Sequence, residues 1–317
     1  MRGNLSSQIG NALSLKKGWP RLVEDLEKFE KSGHILSEVR EYVKHMPIQG
    51  RGVLQICDDV EGKIVELGGR SAFPCNVGIN DVAAHYTSPK GDKSTIPDGS
   101  IVKIDFGVEL EGCITDTAIS RSLNPAYDSM VLAAETALQE ALSAVAPGRK
   151  LSEIGSIIER AINRYGYKPI RNLTGHKIDR YNLHAGKSVP NVAGMEGGKF
   201  EVGEVYAIEP FATLKDAEGA VHEAQNSYIF RLVRAKGAKS LQARAMVDYI
   251  QTQFKSLPFA SRWICNWRSE LEPVFLELVK NRSIVGYPVL VEESGAVVSQ
   301  AEHTVLVTEE GCRILTA

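Results

Sequence analysis

Apolar residues recur at helical spacing over residues 53–67, where Val53, Ile56, Val60, Ile64 and Val65 share a face, and again over residues 37–45. The spacing predicts two helices laid over a sheet. Charges dominate from Trp19 to Lys31, where no more than a short helix is expected, and the polar stretch 1–17 reads as a loose arm. Alternation with period two then takes over. Residues 72–80 break into strand and turn, and residues 101–119 hold two runs of β-formers divided by Glu111-Gly112, a pair suited to a two-residue hairpin turn. Helical spacing returns over 124–145, ended by Pro147-Gly148, and over 151–165, with Ser152 as the expected N-cap and Gly166 as the stop. Helices, strands, helices, strands in that order predict an α+β fold. It has two similar halves, each an antiparallel sheet with helices on one side.

The composition changes beyond Glu209. Residues 240–256 and 262–279 read as helices joined by Leu257-Pro-Phe-Ala-Ser-Arg-Trp263, and 289–299 is expected to form a hairpin through Ser294-Gly295. Together they predict a helical insert with a wing-like ribbon. The 317 residues, 43% of them hydrophobic, suffice for one large domain or two ordinary ones. A net charge of -2 and a pI near 6.4 give no global reason to expect nucleic-acid binding. Cys57, Cys75, Cys113, Cys265 and Cys312 are odd in number and lack a CxxC pair, which disfavours a disulfide framework and favours a reducing compartment. No apolar run approaches the roughly 18 to 20 residues of a membrane span, and the start lacks a signal-peptide core. A cytoplasmic monomer is expected.

Chemistry concentrates in the hairpin. If Leu110 faces Cys113, then Gly107 faces Asp116 and Asp105 faces Ala118, so the two aspartates lie diagonally on one face, with Cβ atoms roughly 7 Å apart. Repulsion between carboxylates at about 4 Å is about 4 kcal/mol at an effective dielectric near 20, so a cation, a shared proton or water must offset it. A polar-faced surface hairpin would account for this pair equally well. Asp105-Phe106-Gly107 also spells the kinase metal-binding triplet, but no His-Arg-Asp loop or glycine-rich phosphate loop accompanies it. Further along, His176 and His184 stand in glycine-containing segments, Glu209 follows an apolar run, and Glu302 heads another. A carboxylate buried beside such runs is costly unless paired or metal-bound. Four carboxylates (Asp105, Asp116, Glu209, Glu302) and one imidazole (His176) balance two divalent cations, and the donor set suits Mn, Fe(II), Co or Zn. Such a pair activates water and polarises a carbonyl, which is hydrolytic chemistry.

The motifs FPCNVGINDVAAHYT, KIDFG with an aspartate eleven residues on, NLTGHKI followed by LHAGKSVPNV, EVYAIEP and AEHTVLV together resemble methionine aminopeptidase type II. The resemblance runs from about Gly52 to the C-terminus, is closest to the archaeal form, and implies the pita-bread fold. It implies a catalytic domain of residues 1–228 and 288–317 interrupted by the insert 229–287. It implies that Asp105 ligates one metal, that His176 and Glu209 ligate the other, and that Asp116 and Glu302 bridge both. Glu209 would also shuttle the proton of the nucleophilic water, and His85 and His184 would contact substrate and assist catalysis. Phe73, Leu183 and Tyr287 would line the methionine pocket. His303, beside Glu302 on a strand, points to the opposite face and is no ligand. Ser227 departs from the histidine of some eukaryotic members, which bears on the pocket wall. The activity implied is removal of the initiator methionine from nascent chains whose second residue is small, with transient ribosome contact and no membrane. A related peptidase acting on Xaa-Pro bonds is the nearest alternative. A homologue that lacks metal and binds RNA or ribosomes is the other.

Overall fold

The computed structural model describes residues 19–265 and 271–317. The expected arm at 1–17, and residues 266–270 within the second expected insert helix, lie outside them. Of the four sheets among the described residues, two are each covered on one face by a pair of helices. In the first, Ile101–Leu110 lies between Cys113–Ser122 on one side and Asn76–Ile79 and Arg70–Ser71 on the other. Helices Trp19–His45 and Val53–Glu66 pack on it through Leu36, Val39, Val43, Ile56, Val60 and Ile64. In the second, the order is Cys312–Ile314, His303–Val307, Val205–Ile208, Thr174–Ile178, Ser188–Pro190. Helices Asp128–Ala144 and Leu151–Arg164 pack on that sheet through Leu138, Leu142, Ile154 and Ile158. The α+β reading in two similar halves therefore holds.

The hairpin has the predicted register. Leu110 pairs with Cys113, Gly107 with Asp116 and Asp105 with Ala118, and Glu111 (φ 49°) and Gly112 (φ 95°) supply the positive dihedrals that its two-residue turn requires. The two sheets meet along a seam of hydroxyl groups. Thr304 Oγ1 accepts from Asp116 N at 2.7 Å, Glu302 N donates to Ala118 O at 3.1 Å, and Ser120 Oγ donates to Gln300 O at 2.7 Å.

Three expectations need correction. The short helix expected near residues 19–31 and the one at 37–45 are a single helix, Trp19–His45. Its buried face runs through Leu26, Phe29, Ser32, Gly33, Leu36, Val39, Arg40 and Val43, so small and charged residues interrupt the apolar stripe in the sequence. Tertiary partners accommodate them: Ser32 Oγ bonds Val108 O at 3.0 Å, and at Gly33 a Cβ would collide with the Leu315 carbonyl oxygen. Second, the N-cap position of the helix Leu151–Arg164 is Lys150, whose backbone N–H meets the Glu153 carboxylate at 3.4 Å, rather than Ser152. Third, Ser294-Gly295 does not close a hairpin. Ile284–Glu292 pairs with Val221–Leu232 and Val82–Ala84, whereas Val298–Gln300 crosses to Phe211–Thr213. Glu292 caps the bend instead, accepting from Ser294 N at 2.7 Å and Ala296 N at 3.1 Å.

The helix Leu241–Phe254 starts at Ser240, whose hydroxyl accepts from Ala243 N at 3.0 Å. It packs with Ser261–Cys265 and Glu272–Lys280 around a separate core that includes Phe230, Ile250, Phe259, Phe275 and Leu278.

Candidate metal and substrate site

One cavity of about 210 Å³ gathers Asp105, Asp116, His176, Glu209, Glu302, His85, His184, Phe73, Leu183 and Tyr287 on its walls. Each arrives from a different piece of local structure. Asp105 and Asp116 come from the hairpin, His176 from Thr174–Ile178, Glu209 from the end of Val205–Ile208, and Glu302 from the residue ahead of His303–Val307. The seam between the sheets sets the hairpin pair against Glu302. Pairing of His176 with Ala207 across neighbouring strands sets the imidazole beside Glu209.

The candidate ligand atoms converge. Asp116, His176 and Glu302 offer atoms within 4.8 Å of one another, and His176 Nε2 lies 3.7 Å from Asp116 Oδ2 and 3.5 Å from Glu209 Oε1. Asp105 lines the same cavity, and its charge is among the influences that raise Asp116, Glu209 and Glu302. His303 faces away, its Nδ1 2.8 Å from Thr316 Oγ1.

Electrostatics bear on what the cluster can hold. Burial raises the Asp105 carboxyl to about 7. Burial, followed by the neighbouring carboxylates, raises Asp116 and Glu302 well above the ordinary range, and Glu209 follows for the same reasons. His176 is pushed well down by burial and then by His184, so it is a neutral imidazole. Asp105 Oδ1, Asp116 Oδ1, His176 Nδ1 and Glu302 Oε1 are buried without a hydrogen-bond partner. Orphaned oxygens on packed acids beside a neutral imidazole are what a divalent cation would satisfy, so the donor set fits a metal.

The remaining walls are apolar or neutral. Phe73 is 6% exposed, and Leu183 and Tyr287 are half-buried. The His85 and Tyr287 rings meet edge to face at 5.6 Å between centroids, and His176 and His184 at 4.4 Å. His85 sits in left-handed backbone (φ 63°) with Nδ1 3.2 Å from Pro288 O, and burial lowers its pKa to about 4. Ser227 packs on Gly286, where a Cβ would collide with it, and is not among the cavity's lining residues.

Sequence reasoning missed several supporting residues. Gln300 Nε2 stands 3.3 Å from Glu209 Oε2 and 3.4 Å from Glu302 Oε2, holding the two acids apart. Its position two residues before Glu302 was the available signal, because residues so spaced share a strand face. Asn191 Nδ2 ties Leu173 O to Glu209 O at 2.9 and 3.2 Å. Arg40, buried on the long helix, donates to Thr117 Oγ1 at 2.5 Å, Ala118 O at 2.9 Å and Glu302 O at 3.3 Å. No local pattern points to either. From the helix Ser261–Cys265, Arg262 and Trp263 grip Glu61, which also accepts from Cys75 N at 3.0 Å beside the Phe73 wall.

Comparisons with known proteins agree with this chemistry. The model of metallopeptidase family M24 matches residues 27–309. A methionine aminopeptidase of Methanothermobacter thermautotrophicus is 41% identical over 300 residues, covering 93% of this chain and 100% of its own length. Among solved structures, a thermophilic Arx1 superposes with a TM-score of 0.78 at 20% identity, covering 92% of this chain and 90% of its own. A methionine aminopeptidase from Thermotoga maritima gives 0.67 at 18% identity, covering 95% and 98%. At such identities these two structures speak for the fold alone.

Proposed function

The chain belongs to metallopeptidase family M24 and is kin to its archaeal methionine aminopeptidases, and on that premise we propose that it removes the initiator methionine from nascent polypeptides whose second residue is small. The observation that carries this reading is the convergence of four buried acids and a neutral histidine beside a small apolar pocket. Asp105, Asp116, His176, Glu209 and Glu302 would hold two divalent cations, Mn, Fe(II), Co or Zn. When bound, such ions acidify a water molecule and polarise a carbonyl. Glu209, whose Oε2 accepts from Gln300 at 3.3 Å, would also take and return a proton. His85 must carry its proton on Nδ1 to bond Pro288 O, which leaves Nε2 as an acceptor for a substrate N–H. His184, on the rim, would meet the substrate from the opposite wall. Phe73, Leu183 and Tyr287 suit an unbranched thioether. A cavity of about 210 Å³ is small beside the ~300–1,000 Å³ pockets of drug-sized ligands, so it takes one side chain and turns a bulky neighbour away.

In this reading residues 229–287 form the insert on a catalytic domain of 1–228 and 288–317. The insert carries ten Lys or Arg against four Asp or Glu in a chain of net charge -2, which favours transient contact with ribosomal RNA as substrates emerge. No helix among the described residues is long and apolar enough to cross a membrane, and we place the enzyme in the cytoplasm with its substrates. Turnover of Met-Ala-Ser with metal supplied, and not of Ala-Pro-Ala, is the expected result; preference for the proline peptide would refute it. Co-sedimentation with ribosomes at low salt but not high salt is expected, and its absence at low salt removes the ribosome contact.

A further inference from the structure

One wall of the catalytic cavity is the ribbon of Val221–Leu232 and Ile284–Glu292. Its outer part pairs without interruption, Ile229 opposite Tyr287, Phe230 opposite Gly286, Arg231 opposite Val285 and Leu232 opposite Ile284. Side chains alternate between faces. Phe230, Leu232 and Ile284 enter the insert's core, whereas Ile229 and Tyr287 line the cavity. Arg231 therefore shares the cavity-side face, two residues and about 7 Å farther out than Ile229. It is exposed, and no carboxylate among the described residues forms an ion pair with it. Its charge is felt inside the site. After burial it is the next influence on His184, whose pKa it lowers, and it opposes the rise that burial imposes on Tyr287.

Given the aminopeptidase reading, on which this rests, we propose that Arg231 is a specificity-determining residue at the cavity mouth. Its guanidinium pairs with a carboxylate that the peptide carries two or three residues beyond the cleaved bond. An extended substrate advances about 3.4 Å per residue, so these are the groups that come level with Arg231 once methionine is seated. The enzyme then favours acidic over basic residues at the third and fourth positions of its substrates.

The experiment uses the metal-loaded full chain and C-terminally amidated Met-Ala-Xaa-Gly and Met-Ala-Gly-Xaa peptides with Xaa as Glu, Gln or Lys. In the wild type, kcat/KM should fall from Glu to Gln to Lys, roughly five-fold per unit charge at low salt and carried by KM. Added salt should compress the series. Arg231→Gln should level it in at least one position, and Arg231→Glu should invert it. Reading each variant as its own Glu-to-Lys ratio removes any general loss of activity. An indifferent wild type, or the same ratio in Arg231→Gln, overturns the proposal while leaving the aminopeptidase reading standing. Failure of every methionyl peptide overturns both.

Discussion

Glu61→Ala should cost this protein several kcal/mol of stability, roughly what breaking a buried ion pair costs. The carboxylate accepts from Arg262 Nη2, from Trp263 Nε1 at 2.8 Å and from Cys75 N at 3.0 Å, and the Arg262 side chain is 1% exposed. Removing one partner of a buried ion pair costs about 3–5 kcal/mol, because the other charge stays buried without its close counter-charge. Arg262 keeps Thr87 Oγ1 at 2.6 Å and Ser88 O at 3.2 Å, with the exposed Asp58 carboxylate 4.0 Å from its Nε, so the lower half of that range already allows for partial relief. The orphaned indole and backbone N–H groups push it back up. A loss of about 4 kcal/mol is expected against a total of roughly 5–15 kcal/mol for a folded domain. Urea unfolding followed by circular dichroism measures it. The double variant Glu61→Gln with Arg262→Met should lose clearly less, since it buries no unpaired charge. Because Glu61 anchors Cys75 next to the Phe73 wall, KM for methionyl peptides should rise more than kcat falls. A Glu61→Ala protein within about 1 kcal/mol of wild type would show that the pair fastens nothing.

Asp116→Asn and Glu302→Gln should each abolish turnover while leaving a folded protein, because each removes a ligand charge from a sheet seam held by backbone and hydroxyl contacts; wild-type rates at full metal loading would contradict the ligand assignment. Chelation should lower the melting temperature, since ions bound only by the native state stabilise it by about 2.7 kcal/mol at 100 times their dissociation constant; an unchanged melting curve after verified metal removal counts against a metal in the cluster. Burial alone would raise the Glu204 carboxyl, but hydrogen bonds from Lys187, Tyr206 and Lys177 outweigh it and hold the pKa at about 2. Its unfolded counterpart titrates near 4.3, so the unfolded state binds more protons between those values and the stabilisation is full above about pH 4.3 and fades toward pH 2. Allowing for solvent screening, Glu204→Gln should cost about 1 kcal/mol at neutral pH, and the gap to wild type should close as the solution is acidified. A gap independent of pH would remove this account.

Much of the site was legible in the chain because its signals are local. A two-residue turn with glycine fixes the hairpin register, and the register alone puts Asp105 diagonal to Asp116. Acids at the margins of apolar strands, as at Glu209 and Glu302, stand out because burying them unpaired is so costly. The resemblance supplied the grouping of these residues, which spacing could not, since the five lie in or beside separate strands of two sheets.

The supporting contacts were hidden for the same reason that the long first helix was cut short. A helix face that carries Ser32, Gly33 and Arg40 looks broken until Val108, Leu315 and the Thr117–Glu302 seam come to meet it. Likewise Ser294-Gly295 has the chemistry of a hairpin turn, yet Val298–Gln300 finds its edge on Phe211–Thr213 and carries Gln300 between two glutamates. By itself the sequence determined where most helices and strands lie, how the central hairpin pairs and which acids cannot be buried alone, since each depends on neighbours a few residues away. Only the tertiary structure decided which sheet edges meet and which polar groups are satisfied across them, because those depend on residues that touch in space and are far apart along the chain.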